Sequence, residues 1–114
     1  MSLYKKVEFK NILKIKEEDE KSTEIFECLF KNNNLIIERI ISPNTSNKNS
    51  EWYNQDWDEW VLLIEGSAEI EFENIEFISL KKGDYFFIPK NTKHRVIKTQ
   101  SESKTIWLAI HIDK

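Results

Sequence analysis

From residue 25 onward the chain alternates short apolar runs with polar breaks, and the runs are too short and too rich in β-branched residues to read as helices. A run at residues 25–30 stops at Asn32-Asn33-Asn34, and a second at 35–41 stops at Pro43. The polar stretch 42–50 is the plainest loop in the chain. Further strands are predicted at 59–65, ended by Gly66, at 68–72 and at 75–80. Residues 81–84 form a turn, 85–88 lead into Pro89, and strands at 94–99 and 105–112 complete the series. Short strands with turn signals at regular intervals predict an all-β sandwich or barrel. Residues 1–22 carry no clear period. Val7, Phe9, Ile12, Leu13 and Ile15 fit either a short strand or an irregular covering segment.

Several of these strands are apolar on both faces. In the run 59–64, Val61 and Leu63 point one way and Trp60, Leu62 and Ile64 the other. A small sandwich standing alone exposes one face of each sheet and alternates more cleanly. A second apolar face therefore needs a cover, either the N-terminal segment (about residues 1–34) or a second copy of the chain. A homodimer is the expectation.

Composition narrows the class. The chain has 114 residues, enough for one domain with one real core, so residues 1–114 are read as a single unit. Hydrophobic residues make up 39% and charged residues 32%, with four Trp and seven Phe, which argues against disorder. The net charge of −3 is weak and mixed in sign, which argues against a nucleic-acid surface. The charged run from Lys16 to Lys21 reads as solvated loop. With Cys28 as its single cysteine the chain has no internal disulfide, and Cys28 is expected as a small buried apolar side chain. No signal-peptide pattern and no membrane-length apolar run occurs, so a cytoplasmic protein without membrane partners is expected.

Two stretches carry a motif. Gly83-Asp84-Tyr85-Phe86-Phe87-Ile88-Pro89-Lys90-Asn91-Thr92-Lys93-His94 combines a turn, a strand, a proline and a histidine at fixed spacing. Upstream, Glu59 and Gly66 stand with six residues between them, preceded by Tyr53 and Gln55. Together the motifs span 53–98. They resemble the paired motifs of the cupin superfamily, whose second motif places Gly where Asn91 stands. Asn is the residue that best replaces Gly where φ must be positive. The first motif departs further, since the superfamily has histidines at the positions of Tyr53 and Gln55 and a leading glycine at Asn47. Lys98 stands where the second motif ends in Asn. The chain is similar to small bacterial cupins with a Tyr-x-Gln first motif and a Trp-Leu-Ala-x-His ending, here Trp107 to His111. The resemblance implies a double-stranded β-helix, a jelly-roll-like barrel with an N-terminal covering segment.

It also implies a site. In metal-binding cupins the motif side chains hold one divalent ion, which here would be Fe, Mn, Ni or Zn on Gln55, Glu59 and His94, with Tyr53 as fourth ligand or proton donor. Trp57, Trp107 and His111 would line the ligand pocket. Residues four apart on a straight strand are separated by about 13 Å, whereas a metal's ligands lie about 2–2.5 Å from it. Gln55 and Glu59 therefore meet only if the chain bends at Asp56-Trp57-Asp58. An amide oxygen and a neutral phenol are weaker donors than imidazole. Beside a purely structural dimeric module, two functions stay open on these residues. One is metal-assisted chemistry of dioxygenase or isomerase type on a small polar organic molecule. The other is a non-catalytic binding or sensing cupin that has lost its metal. In the bland reading Glu59 and His94 form a buried acid–imidazole pair.

Overall fold

The computed structural model describes residues 7–16, 23–46, 51–73, 77–101 and 104–114. Nine strands occur among them: β1 (Ile25–Lys31), β2 (Leu35–Ser42), β3 (Thr45–Ser46), β4 (Asp58–Glu65), β5 (Ser67–Phe72), β6 (Ile78–Lys81), β7 (Tyr85–Ile88), β8 (His94–Gln100) and β9 (Thr105–Ile112). They pair antiparallel into two sheets, of order β1-β2-β9-β4-β7 and β3-β8-β5-β6. The described residues contain no helix. This is the all-β barrel expected from the strand pattern.

Strand β9 lies at the centre of the larger sheet, with β2 on one side and β4 on the other. Its inward residues Thr105, Trp107, Ala109 and His111 are all buried. On β4 the inward residues are Glu59, Val61 and Leu63. Val61, Leu63, Ile70, Ile88 and Trp107 form the apolar core between the sheets. Leu63 is fully buried, so truncation to Ala costs about 2–5 kcal/mol.

The outward face of the larger sheet is apolar and partly covered. Behind β2, Arg39 donates from Nη1 to the carbonyls of Ile12 (3.2 Å) and Lys14 (2.7 Å) and pairs with Glu27 at 2.9 Å. Residues 12–14 thus lie over this face, within a stretch 7–16 that is irregular chain rather than a strand. Farther along the same sheet Tyr85 and Phe87 stay exposed, as do Val7, Phe9 and Leu13 on the covering segment.

Two expectations are corrected. Within the predicted loop 42–50, Thr45 and Ser46 pair with Thr99 and Lys98 as β3, because the edge of β8 is free to take them. Two residues are too few to show a strand period. Cys28 is exposed, not buried. It lies on β1, which pairs with β2 alone, and most of that edge strand is open to solvent. The charged run from residue 17 to Lys21, Asn47, and residues 75–76 at the start of the strand expected at 75–80 lie outside the described residues.

The motif glycines sit where the backbone requires them. Gly66 and Gly83 both have φ of 93°. At Gly66 a Cβ would come within 2.6 Å of Thr105 Oγ1 and 3.0 Å of the Gln100 carbonyl, so the turn also needs the missing side chain. Asn91 adopts φ of 62°, the left-handed conformation expected of a glycine replacement.

Candidate functional site

The segment leading into β4 carries Tyr53 and Gln55. Tyr53 N–H donates to the His94 carbonyl (2.7 Å) and His94 N–H returns a bond to the Tyr53 carbonyl (3.0 Å), a single bridge onto the start of β8. Their rings lie 5.8 Å apart. The chain then bends at Asp56-Trp57. That bend turns Gln55 back on Glu59, and the Gln55 Nε2–H donates to Glu59 Oε1 at 2.7 Å. The second motif locks the bend in place: Lys90 N–H donates to Asp58 Oδ1 (2.9 Å), and Asn91 N–H to the Gln55 carbonyl (2.7 Å).

Glu59 on β4 faces His111 on β9 directly across the sheet, with Oε2 3.9 Å from Nδ1. The indole Nε1–H of Trp57 donates to that same Nδ1 at 2.8 Å. Indole only donates, so Nδ1 accepts and the neutral ring carries its proton on Nε2. Nε2–H is directed at Glu38 Oε1, 3.2 Å away. Both ring nitrogens of His111 are therefore engaged. Glu59 pairs with Gln55 and neighbours His111, where an acid–imidazole pair with His94 was the bland expectation.

His94 stands on the other sheet and is 6% exposed. Its Nδ1 lies 2.9 Å from the Thr92 carbonyl, which can only accept, so Nδ1 carries the proton. In the neutral ring Nε2 is then an acceptor, and among the described residues nothing donates to it.

Tyr53, Gln55, Glu59, His94, Trp107 and His111 line one cavity of about 110 Å³ between the sheets. Trp57 lies outside it, on an adjoining hollow of about 480 Å³ that shares Tyr53, Gln55 and His111 with the cavity. The other tryptophans are elsewhere: Trp60 packs on Tyr85 at 5.7 Å, and Trp52 lies under the Arg95 guanidinium at 4.3 Å. Trp107 donates its indole N–H to Ser42 Oγ (3.2 Å) and presents only its ring to the cavity.

Two acids that the motifs do not include also line the cavity, Glu24 and Glu38. Glu38 had a signal, a charge on the inward parity of an otherwise Ile- and Leu-rich strand. Glu24 had none, since it precedes β1 and reaches the cavity only through the fold. Its carboxylate accepts from Ser42 Oγ at 2.7 Å. Burial of this carboxyl raises its pKa and the Glu38 charge adds to the rise, against the opposing Ser42 bond. The Tyr53 phenol is also raised, by burial first and then by the charges of Glu24, Glu51 and Glu59, so it stays protonated.

The donor set can be tested against a divalent ion. Among the described residues no three His, Cys, Asp or Glu side chains come together as a metal-holding group. His111 has no free nitrogen, Gln55 turns its amide N–H toward Glu59, and the phenol is neutral. As arranged, these side chains suit an organic ligand better than a resident ion.

Comparison with known proteins agrees with this architecture. The cupin domain family matches residues 40–111. A crystal structure from Ralstonia eutropha JMP134, described there as a proposed mannose-6-phosphate isomerase, superposes with a TM-score of 0.81 at 34% identity, covering 95% of this chain and all of that one. A cupin of double-stranded β-helix fold from Methanocaldococcus jannaschii gives 0.68 at 18% identity over 98% of this chain and 93% of that one. The cobalt(II) form of HppE gives 0.69 at 13% identity over 78% of this chain and 53% of its own length. No curated protein matches. No helix among the described residues is long and apolar enough to cross a membrane. With both motifs on the two walls of one cavity between antiparallel sheets, and with a relative one-third identical over nearly its whole length, the chain belongs to the cupin superfamily.

Proposed function

We propose that this cupin binds a small polar organic molecule directly through its side chains, without a resident metal. The observation that carries this reading is the His94 Nε2, an acceptor on a ring that lines the cavity and is 6% exposed, with no donor among the described residues. A ligand donor on this nitrogen adds a hydrogen bond worth about 1 kcal/mol net. Tyr53, half-exposed where cavity and hollow meet, supplies a hydroxyl and is the candidate proton donor. Glu59, held by Gln55, supplies the carboxylate.

The alternative is metal-assisted chemistry of dioxygenase or isomerase type, with Gln55, Glu59 and His94 on the ion. Its support is the match of Glu59 and His94 to superfamily motif positions, and the iron(II) and cobalt(II) forms of HppE that share the fold. Elemental analysis of untagged protein separates the two. Metal well below one atom per chain, with ligand-induced stabilisation indifferent to chelator, is expected. A stoichiometric metal lost in His94→Ala overturns the proposal in favour of the alternative.

We also propose that the chain dimerises through the outward face of the five-stranded sheet. The exposed Phe87 and Tyr85, together with Val7 and Phe9 on the covering segment, support this.

A further inference from the structure

The cavity is unbalanced in two respects that together specify its occupant. The first is charge. Three carboxylates line it, those of Glu24, Glu38 and Glu59, and no Lys or Arg does among the described residues. The nearby cations are held elsewhere. Arg39 lies behind β2 on Glu27 and two carbonyls, and Arg95 pairs with Glu71 at 2.6 Å. Lys114 stands at the rim of the outer hollow, its Nζ 4.6 Å from the centre of the Trp57 ring.

The second is hydrogen-bonding capacity. Most N–H donors facing the cavity are already used: Trp107 Nε1–H on Ser42, His111 Nε2–H on Glu38, and one of the two Gln55 Nε2–H on Glu59. What remains is almost entirely acceptor. It comprises the spare lone pairs of the three carboxylates and the His94 Nε2, on a ring that is 6% exposed and has no other partner there. Among the described residues that line the cavity, Tyr53 contributes the one hydroxyl. An anionic ligand, such as a phosphate or carboxylate, would meet like charge with only the second Gln55 N–H and the Tyr53 hydroxyl to set against it. A neutral polyol would fill the acceptors but leave the charge unanswered.

Building on the ligand-binding reading above, we infer that the cavity takes a protonated primary amine, with the ammonium among Glu38, Glu59 and His94 and the rest of the molecule in the outer hollow. A cation with three N–H donors answers both imbalances at once. Phe26, Phe86 and Trp107 complete a wall rich in aromatic rings, which suits a cation better than an anion. The cavity volume of about 110 Å³ admits the head group and little more, and the adjoining hollow of about 480 Å³ holds a tail.

The test uses three probes of one shape, n-propylammonium, 1-propanol and propanoate, titrated into the full chain at constant ionic strength. Binding is read by calorimetry and by the imidazole NMR signals of His94, up to roughly 50 mM, well above the millimolar Kd open to a fragment this small. Saturable binding of propylammonium alone is expected, with His94 signals shifted and affinity reduced at least about tenfold in Glu59→Gln, a near-isosteric change that removes one charge. Equal or tighter binding of propanol or propanoate, with the same His94 signals shifted, overturns the amine assignment and leaves the pocket reading standing. No saturable response to any of the three overturns both.

Discussion

The indole N–H of Trp57 donates to Nδ1 of His111 across 54 residues of sequence, at 2.8 Å. That bond decides the tautomer of a buried histidine and aims its other nitrogen at Glu38. Trp57 therefore acts on the cavity without lining it.

Replacing Trp57 with Phe keeps the ring and removes the donor. The expected loss is about 1 kcal/mol of stability, the net value of one hydrogen bond. The imidazole ¹⁵N spectrum of His111 should show a pyridine-like Nδ1 in the parent and a changed pattern in the variant. An unchanged spectrum would show that the indole does not set the tautomer.

Glu24 gives a pH-dependent prediction. Its carboxyl pKa is raised in the folded protein by burial and by the neighbouring Glu38, while Ser42 stabilises the charged form and Tyr53 faces it as a neutral phenol. An acid with a raised folded pKa binds more protons folded than unfolded. Its contribution is full below the unfolded value of about 4.5 and is lost as pH rises through the folded value. Glu24→Gln should therefore be more stable than the parent at neutral pH, with the difference closing toward pH 4. Urea melts across that range measure it. A variant less stable at pH 7 would mean that the Ser42 bond outweighs burial.

The two motif glycines share a φ of 93° but not their surroundings. Gly83→Ala meets no atom within 4 Å and should cost only the backbone term, about 1–2 kcal/mol. Gly66→Ala adds a contact of 2.6 Å to Thr105 Oγ1 and one of 3.0 Å to the Gln100 backbone, and should cost a further 1–3 kcal/mol or so. Chemical denaturation of the pair isolates the steric term, since the backbone term cancels. Equal losses would contradict the packing at the β4–β5 turn.

Phe87, 52% exposed on the outward face, is the residue to change for the dimer. Sedimentation should give a concentration-dependent dimer for the parent and a monomer for Phe87→Glu. A parent that stays monomeric at every concentration rules the interface out.

The barrel was legible because its punctuation is local. Gly66, Gly83, Pro89 and Asn91 act through φ and through missing donors or side chains, properties each residue carries by itself. The bounds of β7 and β9 emerge as read for the same reason. The site was legible only in part. Tyr53, Gln55, Glu59 and His94 announce themselves by spacing, but Glu38 becomes a cavity residue only once β2 is paired with β9. Glu24 becomes one only once Ser42 holds it. Cys28 went the other way for a related reason, since edge or centre is a property of the sheet and not of the strand. Composition could not show that the cavity is acceptor-rich, because that depends on which donors are already bonded.

The position of β9 has a consequence for how the molecule is made. It is the last of the described strands in chain order, yet it separates β2 from β4, so the larger sheet has no continuous middle until residues 105–112 have left the ribosome. Until then β2 and β4 present unpaired edges and an apolar interior, a state prone to pair with another nascent chain. The same strand carries His111, so the histidine that completes the cavity arrives with the strand that closes the sheet. A chain cut before residue 105 would lack both.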